Sequence, residues 1–458
     1  MVEKYRVYSG IFFVTFWIVA TYLFVFQMIT PFMMPYASIV LLFTDSVWLI
    51  MGLLTMRNRG DILIMFAFIA LAIAALFAYH DQTLFTLSNG LRAYFGLVFA
   101  LPILRYFTSG ENGARFMRSF DKALYVFLWI QVPCIAWQFL KYGAGDHVGG
   151  SLGDWSSGTI STLIYAISFY LITKKFDPQN YFSSLWENKK YIFLLLPTFF
   201  NETKISFIFL ILYFILLMRI NFGMVKRILL MSPIIVILFL GLGYIYLSVT
   251  DQKADEVLSE EFFQIYFIGE DFDTAIDIGI AVQDEGFDYE GDWGAGYDLP
   301  RFTKIFVVHR ILDESHISQW IGAGPGQFKG TQVIGKSKFA RVNKWMLSGT
   351  RPWLFYIWVD TGYLGIILNI IVMLRMIAFR KNKLAYGVNI KLYITVMFLA
   401  MFVYSEFFNR FEFVLILAYI LMRTYKTLPG DKTVVSEEDE EEDTESDSQA
   451  FPLNRHSI

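Results

Sequence analysis

The sequence predicts an all-α polytopic membrane protein with about twelve transmembrane helices and one large extracytoplasmic loop. Of the 458 residues, 56% are hydrophobic and only 17% are charged, whereas a typical soluble domain carries about 25% charged residues. The charges cluster, and the apolar runs between them approach the roughly 20 residues that a helix needs to cross a bilayer. Cys134 is the single cysteine, so the chain cannot form an internal disulfide.

The apolar runs define the predicted membrane segments, which are 10–27, 34–55, 61–79, 91–107, 123–140, 158–173, 190–200, 203–219, 228–248, 352–374, 391–408 and 411–423. One long helix could replace the pair 190–200 and 203–219. Pro197 and the polar residues NETK at 201–204 favour a break instead. A polar break at membrane depth is tolerated only against protein or a water-filled cavity.

Lysine and arginine in the short loops predict the orientation, because such loops stay on the cytoplasmic side. With twelve segments, the basic loops all fall on one side, whereas a single helix over 190–219 would break this agreement. Both termini are therefore expected in the cytoplasm. The predicted regions are transmembrane helices in 1–249, a periplasmic loop in 250–350, further transmembrane helices in 351–424 and an acidic, disordered cytoplasmic tail in 425–458.

The predicted loop is divided by charge. Residues 251–298 hold fifteen acidic residues and one lysine, without EF-hand spacing, so we expect a solvated acidic face there. The following half is basic, and its apolar positions recur at helical spacing, which predicts an amphipathic helix over 300–315. The members of this stripe are Phe302, Ile305, Phe306, His309 and Leu312. Arg301 and Lys304 share one edge of the helix, and Arg310 lies on its far side.

A glycine-rich stretch, WIGAGPGQFKG at 320–330, follows this helix. Glycine permits positive φ, and successive N–H groups in a glycine turn can bind an anion. A dinucleotide fingerprint would need glycine where Gln327 stands, and no Gly-Lys-Ser/Thr of a Walker loop is present. Two interpretations stay open: a phosphate cradle, or a loop whose glycines only turn the chain back to the membrane. The glycines concerned are Gly322, Gly324 and Gly326.

The order of these motifs resembles that of the O-antigen polymerase and ligase family. The resemblance covers about residues 155–424 and includes an Arg-led external helix, a glycine turn and a re-entering helix with an acid-x-Gly-x-x-Gly pattern. It also includes a basic break between membrane helices, at Lys204, and a final helical pair. The family's His-Asn pair is replaced by Arg351-Pro352. The motif residues that match are Gly322, Gly324, Phe328, Asp360, Gly362 and Gly365.

The resemblance implies a GT-C-like glycosyltransferase of the bacterial inner membrane, acting on its periplasmic side. The donor would be a glycan on a polyprenyl diphosphate, and basic side chains would stabilise the departing diphosphate. The candidates for that role are Lys204, Arg301, Arg310, Arg351 and Arg92. The acceptor hydroxyl would need a base, for which the candidates are His309, His316, Asp313 and Glu314. For each residue the alternative is a snorkelling, solvated or packed side chain.

The expected activity is a polymerase that transfers glycan from one carrier to the acceptor sugar of another lipid-linked repeat unit. The transfer is expected to be direct, inverting and independent of metals and cofactors. The alternatives are a ligase to lipid A core and, less favoured, a flippase or transporter, which tends to show related halves. Expected partners are polyprenyl-diphosphate-linked oligosaccharides, membrane lipids and a chain-length regulator, without nucleic acid. Asp45, Glu406 and Glu412 are expected to pair locally, for example with Arg410.

Overall fold

The computed structural model describes most of the chain outside the predicted acidic loop and tail. The described residues are 2–29, 37–78, 84–110, 112–143, 145, 148–153, 156–200, 205–218, 301–327, 339, 343, 352–377, 381–405, 408 and 410–433. The predicted segment 228–248, the acidic half-loop 251–298 and the tail from residue 434 lie outside them.

The described residues form α-helices joined by turns, with short 3-10 helices at Gly150–Leu152 and Leu196–Phe199 and one isolated β-bridge between Leu384 and Thr433. The α-helices are α1 Val2–Ile29, α2 Ala37–Thr55, α3 Arg59–Ala78, α4 Leu84–Phe107, α5 Gly113–Tyr142, α6 Ser157–Thr173, α7 Tyr181–Glu187, α8 Lys189–Phe193, α9 Ile205–Leu217, α10 Arg301–Glu314, α11 Trp353–Ile377, α12 Gly387–Tyr404 and α13 Phe411–Arg423.

Within the described part of the chain, five helices are long and apolar enough to cross a bilayer: α3, α4 from Thr86, α5, α11 and α12. Shorter apolar helices occur in α1, α2, α6 and α9. These lengths and compositions are those of a helical membrane protein. The number of twelve spans and the extent of the external loop stay predictions.

The chain between α8 and α9 reverses direction, as the polar break predicted. The Ser168 hydroxyl donates to the Tyr191 carbonyl at 2.9 Å and lies 3.0 Å from the Tyr213 hydroxyl. One straight helix would hold residues 191 and 213 about 33 Å apart, at 1.5 Å per residue. A single long helix over 190–219 is therefore excluded, and the break residues 201–204 lie outside the described residues.

The predicted helical segment 190–200 is wrong as a continuous helix. It consists of the five-residue α8, a turn at Leu194 and the 3-10 helix Leu196–Phe199. Pro197 lies in the first turn of that 3-10 helix. Proline lacks an N–H donor and clashes with the preceding turn of an α-helix, so α8 cannot continue through it.

The basic helix ends converge on one face of the bundle, which we call the basic face. Asp61, at the start of α3, accepts from Arg105 at the end of α4 and from Arg375 at the end of α11, each at 2.7 Å. This arrangement agrees with the predicted grouping of basic loops on one side. Its assignment to the cytoplasm stays a prediction.

A second ion cluster joins three more helices at the basic face. Asp121 of α5 accepts hydrogen bonds from Tyr170 of α6, from Lys174 directly after α6 and from Tyr419 of α13. The fully buried Arg423 lies 3.6 Å from the Asp121 carboxylate and donates to Asp431 at 2.7 Å. The cluster therefore fixes the ends of α6 and α13 beside the start of α5.

Candidate functional site

A turn at residues 319–327, the glycine turn, is inserted into the hydrogen-bond ladder of α11. In a regular helix the N–H of residue 363 would bond the carbonyl of residue 359, and 364 would bond 360. Gly362 interrupts this pattern with φ 60° and ψ -162°. The N–H of Tyr363 instead donates to the Gln319 carbonyl at 2.9 Å, and the N–H of Leu364 donates to the Trp320 carbonyl at 3.2 Å.

The carbonyls released by the kink accept hydrogen bonds from the second half of the same turn. The Val359 carbonyl accepts from the N–H of Ala323 at 2.6 Å, and the Asp360 carbonyl accepts from the N–H of Gly324 at 2.9 Å. Both broken helical hydrogen bonds are thus replaced from the turn. Irregular backbone beside a membrane helix is tolerated when protein satisfies it in this way.

The turn requires glycine at three positions, because φ is positive there and neighbouring backbone lies close. Gly322, Gly324 and Gly326 have φ of 71°, 96° and 90°. A Cβ at Gly322 would lie 2.6 Å from the Val359 carbonyl oxygen, and one at Gly326 would lie 2.4 Å from the Thr86 carbonyl oxygen. The turn therefore packs against the backbones of both α11 and α4, which only residues without a side chain allow.

The buried carboxylate of Asp360 ties the turn to α4. Its Oδ2 accepts from the N–H of Gly326 at 3.2 Å and from the Tyr94 hydroxyl at 3.0 Å. The N–H groups of residues 323, 324 and 326 therefore all donate to acceptors within the protein, on α11. Of the two interpretations left open by the sequence, this geometry favours a turn that positions neighbouring elements over one that holds phosphate itself.

Helix α10 begins and ends within one residue of its predicted limits, but its buried face differs. His309 was placed in the apolar stripe, yet 53% of its side chain is exposed. The stripe is wrong at this position because the buried arc of α10, which packs against α11 and α12, is centred on Lys304 and Val308 and leaves His309 at its edge. The buried residues of α10 are Lys304, Ile305, Val307, Val308, Ile311 and Leu312. The side chains of Phe302 and Phe306 lie outside the described residues.

The candidate bases separate into two groups. His309 Nδ1 lies 3.4 Å from the Asp313 carboxylate, and Gln319 donates to Asp313 at 3.0 Å and to the His309 carbonyl at 2.6 Å. The indole N–H of Trp358 donates to the Gln319 side-chain oxygen at 3.0 Å. We call these four residues the His309 cluster. His316 lies in the turn after α10 with φ 55°, exposed to solvent.

The candidate phosphate ligands are only partly described. Arg310 donates to Glu314 at 2.8 Å, one turn along the exposed side of α10. Arg92 lies 3.4 Å from Asp45, with 30% of its side chain exposed. Lys204 and Arg351 lie outside the described residues, as does the side chain of Arg301. That these cations converge at one site stays a prediction.

The expected local pairing of acidic residues is confirmed for two of the three. Asp45 pairs with Arg92, and Glu412 pairs with Arg410 at the start of α13. Glu406 lies outside the described residues.

Sequence reasoning missed Gln319 and Trp358 as partners of His309. An isolated glutamine in a turn and a tryptophan in an apolar helix carry no motif, so no sequence signal pointed to them. No protein-family model matches this chain, and no curated protein matches it.

Proposed function

We propose that the protein is a membrane glycosyltransferase that extends a surface polysaccharide, O-antigen or exopolysaccharide. It transfers glycan from a polyprenyl diphosphate to the acceptor sugar of another lipid-linked repeat unit. The observation that supports this most is the insertion of the glycine turn at Gly362. Two motifs of the family resemblance, distant in sequence, meet there as one structural unit that carries α10 and its candidate bases.

In this proposal His309 is the general base. Asp313, on the Nδ1 side of the ring, holds the imidazole so that Nε2 can accept the proton of the acceptor hydroxyl. The acceptor oxygen forms a bond to the anomeric carbon while the bond from that carbon to the diphosphate oxygen breaks. The electron pair leaves with the lipid diphosphate, and a single displacement of this kind inverts the anomeric centre.

The leaving diphosphate needs nearby cations, because negative charge grows on it as the bond breaks. Lys204, Arg301 and Arg351 are proposed for this role, together with Arg310 and Arg92. Arginine keeps its charge at every working pH and binds phosphate oxygens through two parallel hydrogen bonds. A metal ion is not required by this mechanism, so activity is expected in excess chelator.

The proposed topology follows the predicted basic-loop rule. The basic face lies in the cytoplasm with both termini, and the His309 cluster works at the periplasmic side of the inner membrane. A chain-length regulator is proposed as a partner there.

A deletion strain tests the proposal. Loss of a polymerase leaves single repeat units on the cell surface. Long chains that accumulate on the lipid carrier would instead assign a ligase that uses the same site. Flipping of intact lipid-linked glycan by the full-length protein, without glycan transfer, would contradict both and favour a transporter.

We expect His309→Ala to lower the turnover rate by about 10²–10⁴-fold, the usual contribution of a general base. His316→Asn is the matched variant, because asparagine tolerates the left-handed backbone found at that position. Only a small decrease is expected from it, since the structure does not bring His316 into the His309 cluster. Product formation by equal amounts of correctly inserted protein is the measurement. An unchanged rate for His309→Ala, or a large loss only for His316→Asn, would remove His309 from its role.

A further inference from the structure

A cleft opens at the basic face between α3, α4 and α11. It is narrow, with space for about one water molecule, and it is lined by Asp61, Ile64, Val98, Leu101, Val372 and Arg375. The proposed glycan transfer takes place at the other end of the helices and does not involve this cleft.

The mouth of the cleft carries a net positive charge. Asp61 is only 4% exposed, and its two oxygens bind Arg375 and Arg105 separately. One carboxylate thus faces two guanidinium groups, whose side chains are 19% and 34% exposed. Each guanidinium has five N–H donors in a fixed fork, so contact with one carboxylate oxygen leaves donors for a second acceptor.

Two further arginines extend this positive charge along the surface. Arg57 lies over the ring of Tyr106, next to Arg105, at 5.6 Å from the ring centroid. Arg59 is exposed at the start of α3. With four arginines and one aspartate, this patch carries a formal charge of +3.

The inner walls of the cleft are apolar. Ile64, Val98, Leu101 and Val372 line it one to three turns inside the helix ends. The outer side of α3 exposes Leu63 at 71% and Phe66 at 57%, as expected for a surface that contacts lipid chains. A cationic mouth beside the exposed apolar side chains of α3 matches a phosphate headgroup joined to acyl chains, whereas free phosphate would contact the mouth alone.

We propose that this cleft binds the phosphate of an anionic phospholipid from the leaflet at the basic face. Basic pockets between membrane helices on the cytoplasmic side suit such headgroups, and arginine binds phosphate oxygens with two donors. The lipid bridges Arg105 and Arg375 while one acyl chain lies along Leu63 and Phe66 on the outer side of α3. This inference does not depend on the proposed glycosyltransferase activity.

The test is lipid retention by the purified full-length protein, measured by native mass spectrometry with added phosphatidylglycerol or phosphatidylcholine. We expect preferential retention of phosphatidylglycerol and at least a tenfold weaker affinity for it in R105Q/R375Q. The control R115Q/R118Q removes the same charge from exposed positions at the start of α5, also on the basic face. It is expected to bind like the unmodified protein.

Asp61→Asn provides a second variant, should the double arginine variant fail to fold. It keeps both guanidinium groups and removes the competing carboxylate, so phosphatidylglycerol affinity is expected to rise. Three results would overturn the proposal: unchanged binding by R105Q/R375Q, an equal loss in R115Q/R118Q, or a lower melting temperature in Asp61→Asn without a gain in lipid affinity. Displacement of the lipid by an equal concentration of inorganic phosphate would likewise contradict a lipid site.

Discussion

Replacement of Gly362 by alanine is expected to destabilise the protein by about 2–6 kcal/mol and to abolish glycan transfer. At φ 60° a residue with a side chain is strained. A Cβ at this position would also lie 2.5 Å from the Gln319 carbonyl oxygen, inside the inserted turn. The two costs add, at about 1–3 kcal/mol for the backbone strain and about 1–3 kcal/mol for overpacking.

Gly110→Ala is the matched control for this prediction. Gly110 has a similar φ of 71°, but nothing lies within 4 Å of the position of its Cβ. Only the backbone strain is then expected, so thermal unfolding of the purified protein should separate the two variants clearly. Equal melting temperatures would mean that the glycine turn does not fill the kink of α11.

Asp121→Ala is expected to cost about 3–5 kcal/mol, because it leaves Lys174 and the buried Arg423 to share the single carboxylate of Asp431. Asp121 accepts from Lys174 and from two tyrosine hydroxyls, and Arg423 behind it has no exposed side-chain surface. Thermal unfolding is again the measurement. The control is Asp177→Ala, at a half-exposed aspartate that accepts only local hydrogen bonds from Gln179 and Asn180, so the melting temperature should fall much less.

The same cluster predicts a loss of stability in acid. Burial raises the pKa of Asp431, but Arg423, the Leu428 N–H and Lys174 together lower it further, so the net pKa lies below its usual range. A carboxyl with a depressed folded-state pKa contributes stability that is present above its unfolded pKa. That stability is lost as the pH falls through the folded pKa.

An Asp121→Ala protein as stable as the unmodified one would contradict the structural role of this cluster.

The features of the fold that follow from local sequence could be predicted. Apolar periodicity placed α10 to within a residue at each end, because helix formation is a local property. The grouping of basic helix ends followed from loop charges. The reversal before α9 followed from Pro197 and the polar residues NETK, which cannot continue a membrane helix.

The candidate site could be predicted only as a set of residue types. The exchange of hydrogen bonds between the glycine turn and α11 joins segments distant in sequence, and periodicity carries no information on such pairs. Gly362 was recognised as a motif residue, but its left-handed φ depends on the turn that fills the kink. His309 was misplaced because the buried face of α10 includes Lys304 and Val308, which the predicted apolar stripe left out.

Glycan transfer is tested most directly with purified protein in liposomes and repeat units linked to polyprenyl diphosphate, extracted from a strain that lacks this gene. We predict a series of products of two, three and more repeat units, with one free polyprenyl diphosphate released for each new bond. Addition of a chelator should leave this series unchanged, and His309→Ala should remove it. Movement of the intact lipid-linked unit between leaflets, without release of polyprenyl diphosphate, would contradict a transferase.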